Sequence, residues 1–141
     1  MTLRNKLLPA ILIALLLSCL ILGGCMANPD SGQEGVKYTL YIGLNDKDTY
    51  TQLISTEEAV KKVSAIALKH ADGFTLYHGQ GAYLDDQGVE TFENCLVLEF
   101  FDLDETKVRV IMDEVIKELN QSSILIEREK VSYEFYEGTE P

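Results

Sequence analysis

The chain has 141 residues, with 12 Lys and Arg against 23 Asp and Glu, a formal net charge of −11. That balance repels polyanions, so nucleic acid and polyanionic cofactors are excluded as partners. The length allows one small domain around one core.

Arg4 and Lys6 precede Leu7–Leu22, a run that is apolar except for Ser18 and is broken by Pro9. A positive start followed by a short apolar stretch predicts a secretory signal. The run is shorter than the roughly 20 residues of a membrane span. It ends in Leu22-Gly23-Gly24-Cys25, which resembles a bacterial lipobox. The thiol of Cys25 is expected to carry a diacylglyceryl group, and the two glycines give a peptidase access to the Gly24–Cys25 bond. Durable anchoring takes more than one acyl chain. Residues 1–24 are therefore expected to be a lipoprotein signal peptide. Cys25 is expected to tie the chain to the extracytoplasmic side of a bacterial cell membrane.

Residues 25–35 contain Asn, Pro, Asp, Ser, Gln, Glu and glycines and read as a flexible tether. The remaining domain is expected over residues 36–137. Loss of residues 1–24 would leave 117 residues, 23 acidic and 10 basic, at a net charge of −13.

Val36–Leu44 alternates Tyr38, Leu40, Ile42 and Leu44 with Lys37, Thr39, Tyr41 and Gly43, which predicts a strand with one buried face. A polar loop follows. Ser55 and Glu58 form a capping box. Ala59, Val63, Ile66 and Ala67 then share a face, so a helix is expected from Thr56 to Ala71, with Gly73 as a left-handed cap. Phe74–Tyr83 predicts a second strand. Gly79 and Gly81 within it suggest a bulge or a close approach of backbone.

Asp85-Asp86-Gln87-Gly88 predicts a turn, and Thr91–Phe101 a third strand with Leu96, Leu98 and Phe100 on one face. Cys95 lies in that strand and reads as a small buried hydrophobe. Asp104 is the expected cap of a second helix. Val108, Ile111, Met112, Val115, Ile116 and Leu119 recur at helical spacing, and Asn120 can close the helix. Ser123–Tyr136 predicts a last strand, and its charged stretch Glu127–Lys130 suits a sheet edge.

The order β-α-β-β-α-β, with a short connection between strands two and three, predicts an α+β fold of the ferredoxin-like split β-α-β type. Four antiparallel strands then carry both helices on one face.

Three short motifs carry a resemblance: Tyr41-Ile42-Gly43-Leu44, Gly73-Phe74-Thr75-Leu76 with Gly79-Gln80, and Gln121-Ser122-Ser123-Ile124-Leu125. On these the chain resembles an uncharacterised bacterial family of small secreted and lipid-anchored proteins, a domain of unknown function. That resemblance implies the same fold and no activity. A looser similarity is to PII-like signalling proteins, typically cytosolic trimers that bind nucleotides through a long loop between strands two and three. Here that connection is short, the surface is acidic and the chain carries an export signal. The similarity implies architecture and oligomerisation, not nucleotide binding.

Chemistry is sparse. His70 sits at the end of the first helix, where a cation suits the dipole. His78 is the one histidine in a plausible site. Two histidines and one thiol lack metal-ligand spacing. Asp46-x-Asp48 resembles part of a calcium loop but lacks its glycine and bidentate Glu, so it reads as a solvated loop. No catalytic residue, metal or cofactor is expected.

The sheet face without helices is expected to carry Thr39, Tyr41, Thr75, Tyr77, Val97, Glu99, Glu134 and Tyr136, with His78 beside Tyr77. Tyrosines suit an interface, so this face is expected to bind a ligand or a second copy of the chain. The function expected is a non-enzymatic binding or interaction module. The alternatives are a small-molecule sensor or accessory subunit of an exported or transport system and, third, an enzyme centred on His78.

Overall fold

The computed structural model describes residues 32–138. The expected signal peptide and the lipid site at Cys25 lie outside them. The elements are β1 (Gln33–Gly43), α1 (Thr56–Ala67), β2 (Thr75–Leu84), β3 (Glu90–Phe101), α2 (Glu105–Glu118) and β4 (Leu125–Tyr133). They form one antiparallel sheet in the order β2-β3-β1-β4. This is the expected ferredoxin-like architecture, with β4 at an edge.

The core follows the two periodicities. Tyr38, Leu40, Ile42, Leu96, Leu98 and Phe100 point to one side of the sheet and are buried. They meet Ala59, Val63, Ile66 and Ala67 of α1 and Val108, Ile111 and Val115 of α2. Burying each large aliphatic side chain is worth about 1.5–3 kcal/mol. The matching of these two apolar stripes to one sheet face fixes the layers.

The caps agree with the sequence at three of four helix ends. The Ser55 hydroxyl accepts from the Glu58 amide at 3.1 Å, and Asp104 Oδ1 accepts from the Thr106 amide at 2.7 Å. Asn120 takes φ 50° after α2, the left-handed region that Asn tolerates. The expected cap at Gly73 is not used. α1 stops at Ala67, because the Lys69 and His70 amides bond to Ile66 and Ala67 in tighter i to i+3 turns. The glycines with positive φ among the described residues are Gly88 and Gly138.

β1 begins at Gln33 rather than Val36, since Gln33, Glu34 and Gly35 pair with Tyr133, Ser132 and Val131. β4 ends at Tyr133. In the β2–β3 turn, Asp85 Oδ1 accepts from the amides of Gln87 and Val89, both at 2.9 Å, and Gly88 supplies φ 76°.

Candidate functional site

The helix-free face of the sheet has a hollow at one end, made by missing side chains. Gly43 of β1, Gly79 of β2 and Gly81 of β2 all fall on this face, flanking Cys95 and Glu93 of β3. No bulge is present at Gly79 or Gly81, because the β2–β3 register runs unbroken through both. The glycines make room instead. A Cβ on Gly43 would lie 2.7 Å from Glu93 Cδ, and one on Gly79 would lie 2.8 Å from Cys95 Sγ.

The resulting cleft measures about 600 Å³, walled by Tyr41, Tyr50 and Tyr83 and rimmed by Asp85, Asp86 and Ser122–Ser123. Its upper wall is loop 44–54. Asn45 Nδ2 donates to the Phe92 carbonyl at 3.0 Å, and Gln121 Nε2 donates to the Asn45 carbonyl at 2.8 Å. Both bonds hold this loop against the sheet.

The electrostatics favour a cation. Glu93, Asp85 and Asp86 line the cleft against a single basic residue, Lys47. Lys47 Nζ is already paired with Asp48 at 2.7 Å. The Glu93 carboxylate receives one long contact, from the Asn45 amide at 3.5 Å.

Tyr50 takes φ 54°, unusual for a bulky residue. Its hydroxyl crosses the cleft mouth to donate to Asp86 Oδ2 at 3.0 Å. That bond raises the Tyr50 pKa, and burial adds to the rise. Tyr41 donates to Glu127 Oε2 at 3.1 Å and is raised by the same cause. Burial pushes the Cys95 thiol up, and the neighbouring Glu93 charge adds to it. Cys95 is therefore a thiol rather than a thiolate nucleophile near neutral pH.

The register places Thr39, Tyr41, Thr75, Tyr77, Val97 and Glu99 on the open face as expected. The Tyr77 hydroxyl donates to Glu99 Oε2 at 3.3 Å. Of these residues Tyr41 also lines the cleft.

Three expectations are corrected. His78 pairs with Leu96, a core residue, so it lies on the helix side. There it is close to Glu57, whose carboxyl is held down by its own backbone amide and the Ser55 hydroxyl, with the His78 charge adding to the effect. Glu134 and Tyr136 lie beyond β4. Ile126 pairs with Leu40 in the core, so Leu125, Glu127 and Glu129 occupy the open face instead. One residue of shift exchanges the faces. Cys95 is not a core residue. It sits between Gly43 and Gly79 on the open face.

The loop at Asp46 is structural. Asp46 accepts from the amides of Asp48 and Thr49, both at 3.0 Å, and from Asn120 Nδ2 at 2.7 Å. These bonds hold its carboxyl below the ordinary value, the Asn120 amide contributing most. No cluster of three metal-ligating side chains occurs among the described residues. His70 lies past the end of α1, in the turn, and its Nε2 is 2.7 Å from Glu114 Oε1 of α2, a contact remote in sequence.

Sequence reasoning missed Glu93, Gly43, Tyr50 and Tyr83 as site residues. The available signal was that the glycines of three strand positions all occupy the polar phase of the alternation.

No family model and no curated protein matches the chain. Solved structures do. A phage SAM lyase in complex with S-methyl-5'-thioadenosine is 21% identical with a TM-score of 0.56, over 73% of this chain and 93% of that one. The same kind of enzyme in its apo state gives 0.58 at 21% identity, over 76% and 96%. An adenosylmethionine decarboxylase from Aquifex aeolicus VF5 is more distant, at 16% identity and 0.41, over 79% and 100%.

The two lyase likenesses support the ferredoxin-like architecture and no family of lipid-anchored proteins. They also correct the expected function. The frame taken for that of a non-enzymatic module is one on which a lyase is built.

Proposed function

We propose that this chain is an enzyme that acts on a sulfonium nucleoside of the S-adenosylmethionine class, as a lyase, in the glycine-floored cleft. The observation that carries the reading is the Glu93 carboxylate lying over Gly43 in a cleft with tyrosine walls and a net negative lining. A sulfonium is a compact cation, and carboxylates in a partly dry hollow favour it. Tyrosine rings offer flat faces to a purine and to the positive sulfur. Cleaving the carbon–sulfur bond sends its electron pair to sulfur and releases a neutral thioether, while the substrate's own carboxylate oxygen forms the new bond to the γ-carbon and closes a lactone, so no acid is needed to assist the leaving group. That fits a site without a histidine. The likeness to a SAM lyase in complex with S-methyl-5'-thioadenosine supports the same reading.

The test supplies S-adenosylmethionine to the purified protein and follows S-methyl-5'-thioadenosine by chromatography, with calorimetry for binding. Product is expected with the parent sequence, and Glu93→Gln is expected to weaken binding at least tenfold. No binding and no product from folded protein would overturn the reading.

We also propose that residues 1–24 are removed and that lipid on Cys25 holds the mature chain at the extracytoplasmic face of the membrane. The support is the apolar run ending in Leu22-Gly23-Gly24-Cys25. Mass spectrometry of the native N-terminus tests it, and an unmodified Met1 would sink it. An exported cleft meets only ligand that reaches the outside, which is why the activity assay supplies the ligand directly.

A further inference from the structure

We infer that an aromatic strip at the tether end of the sheet rests on the headgroup zone of the bilayer and turns the cleft away from it. The inference builds on lipid attachment at Cys25, and not on the lyase reading. The strip begins with Tyr133, whose ring lies over Gly35. A Cβ on that glycine would come 2.9 Å from Tyr133 Cε1. Phe101 and Phe135 flank the ring, each with its centroid 5.8 Å away. Phe101, Phe135 and Tyr136 expose 45%, 80% and 77% of their surface. Aromatic side chains that serve only the core are not left this open together.

The position of the strip identifies what covers it. Tyr133 pairs with Gln33, the first residue of β1. Seven residues lie between Cys25 and Gln33, so the eight chain steps reach at most about 28 Å. Lipid on Cys25 would thus keep this end of the sheet within a short distance of the membrane. Aromatic rings prefer the interface between headgroups and acyl chains. Asp102 lies beside Tyr133, and Glu134 and Glu137 flank Phe135 and Tyr136 in sequence, against Lys37 opposite Phe101, so the surface the strip suits is zwitterionic rather than anionic. The cleft lies at the other end of β1. Gly35 and Gly43 are eight residues apart, about 27 Å along a strand, so seating the strip leaves the cleft open to solution.

The chain contains no tryptophan, which makes a single introduced one a clean probe. The full lipidated chain bearing Phe135→Trp or Phe92→Trp is reconstituted on phosphatidylcholine vesicles with brominated acyl chains. Phe92 is 71% exposed near the cleft end and is the control. At least a twofold loss of fluorescence is expected for Phe135→Trp on brominated vesicles and none for Phe92→Trp. Attached protein with no quenching at position 135, or equal quenching at both positions, overturns the seating while leaving the anchor intact. Protein that stays in solution overturns the anchor and the seating together. A fluorescence change that follows protein density and not bromine identifies a second copy as the occupant and overturns the bilayer.

Discussion

The carboxylate of Glu93 fills the space that a side chain at Gly43 would need, with its Cδ 2.7 Å from the position of that missing Cβ. Gly43 does not have positive φ, so alanine is allowed there by the backbone. Only the flexible end of Glu93 has to move. Gly43→Ala is expected to change stability by less than about 1 kcal/mol, since reduced freedom of the unfolded chain offsets the displacement. On the proposed lyase reading, it weakens binding of S-adenosylmethionine at least tenfold. Urea denaturation and calorimetry on the same sample check both halves, and undiminished uptake would remove Glu93 from the site.

Gly79 faces a shorter, stiffer neighbour. A Cβ there would meet Cys95 Sγ at 2.8 Å, and a thiol on a single methylene has few ways to withdraw. Gly79→Ala is expected to destabilise by about 1–3 kcal/mol. Cys95→Ala in the same chain removes the sulfur and should recover much of that loss. A double-mutant cycle reads the coupling, expected above about 0.5 kcal/mol. Additive effects would mean that the two side chains do not share this space.

The latch across the cleft mouth should respond to alkali. The Tyr50 hydroxyl is raised by its hydrogen bond to Asp86, and that of Tyr41 by its bond to Glu127. A folded-state value above the unfolded one makes a contribution that is present below the ordinary value of 10.0 and is lost as pH rises through the raised value. Following tyrosinate absorbance, Asp86→Asn is expected to bring one late-titrating tyrosine to lower pH. An unchanged titration would show that the bond is absent in solution.

Acid should act elsewhere in the same loop, at Asp46. The Asp46 carboxyl is held low, chiefly by the Asn120 amide. Its stabilising contribution is present above the ordinary value of 3.8 and is lost as pH falls through the lowered one. Asn120→Gly keeps the left-handed backbone, which Asn120 adopts at φ 50°, and removes the donor. Its loss of stability between the ordinary value and the lowered one is expected to be smaller than the parent's, because without the donor the folded and unfolded values of Asp46 lie closer together. Asn120→Ala loses the conformation as well and should be the less stable of the two at neutral pH. Coincident acid limbs for the parent and Asn120→Gly would exclude the Asn120 contact.

The architecture was legible because it depends on local periodicity. Leu40, Leu96 and Leu98 fall in a two-residue rhythm, and Val108, Ile111 and Val115 in a helical one. Each rhythm admits only one buried face. Ser55 and Asp104 announced their helices because unpaired amides at a helix start need an acceptor. The limits were less legible. Gln33 joins β1 and Glu134 leaves β4 because of what stands opposite them, and a partner strand is not visible in local sequence.

The sequence alone determined which side of each central strand is apolar, since burial of one face is enforced by the pattern. Only the tertiary structure decided what the other side does. Gly43, Gly79, Gly81, Glu93 and Tyr50 come from four separate segments. Register brings the glycines beside Glu93 and Cys95, and loop packing brings Tyr50 over them. A hollow is defined by side chains that are missing from neighbouring strands at the same level. No stretch of one strand records that level, because it is set by hydrogen bonds made between strands.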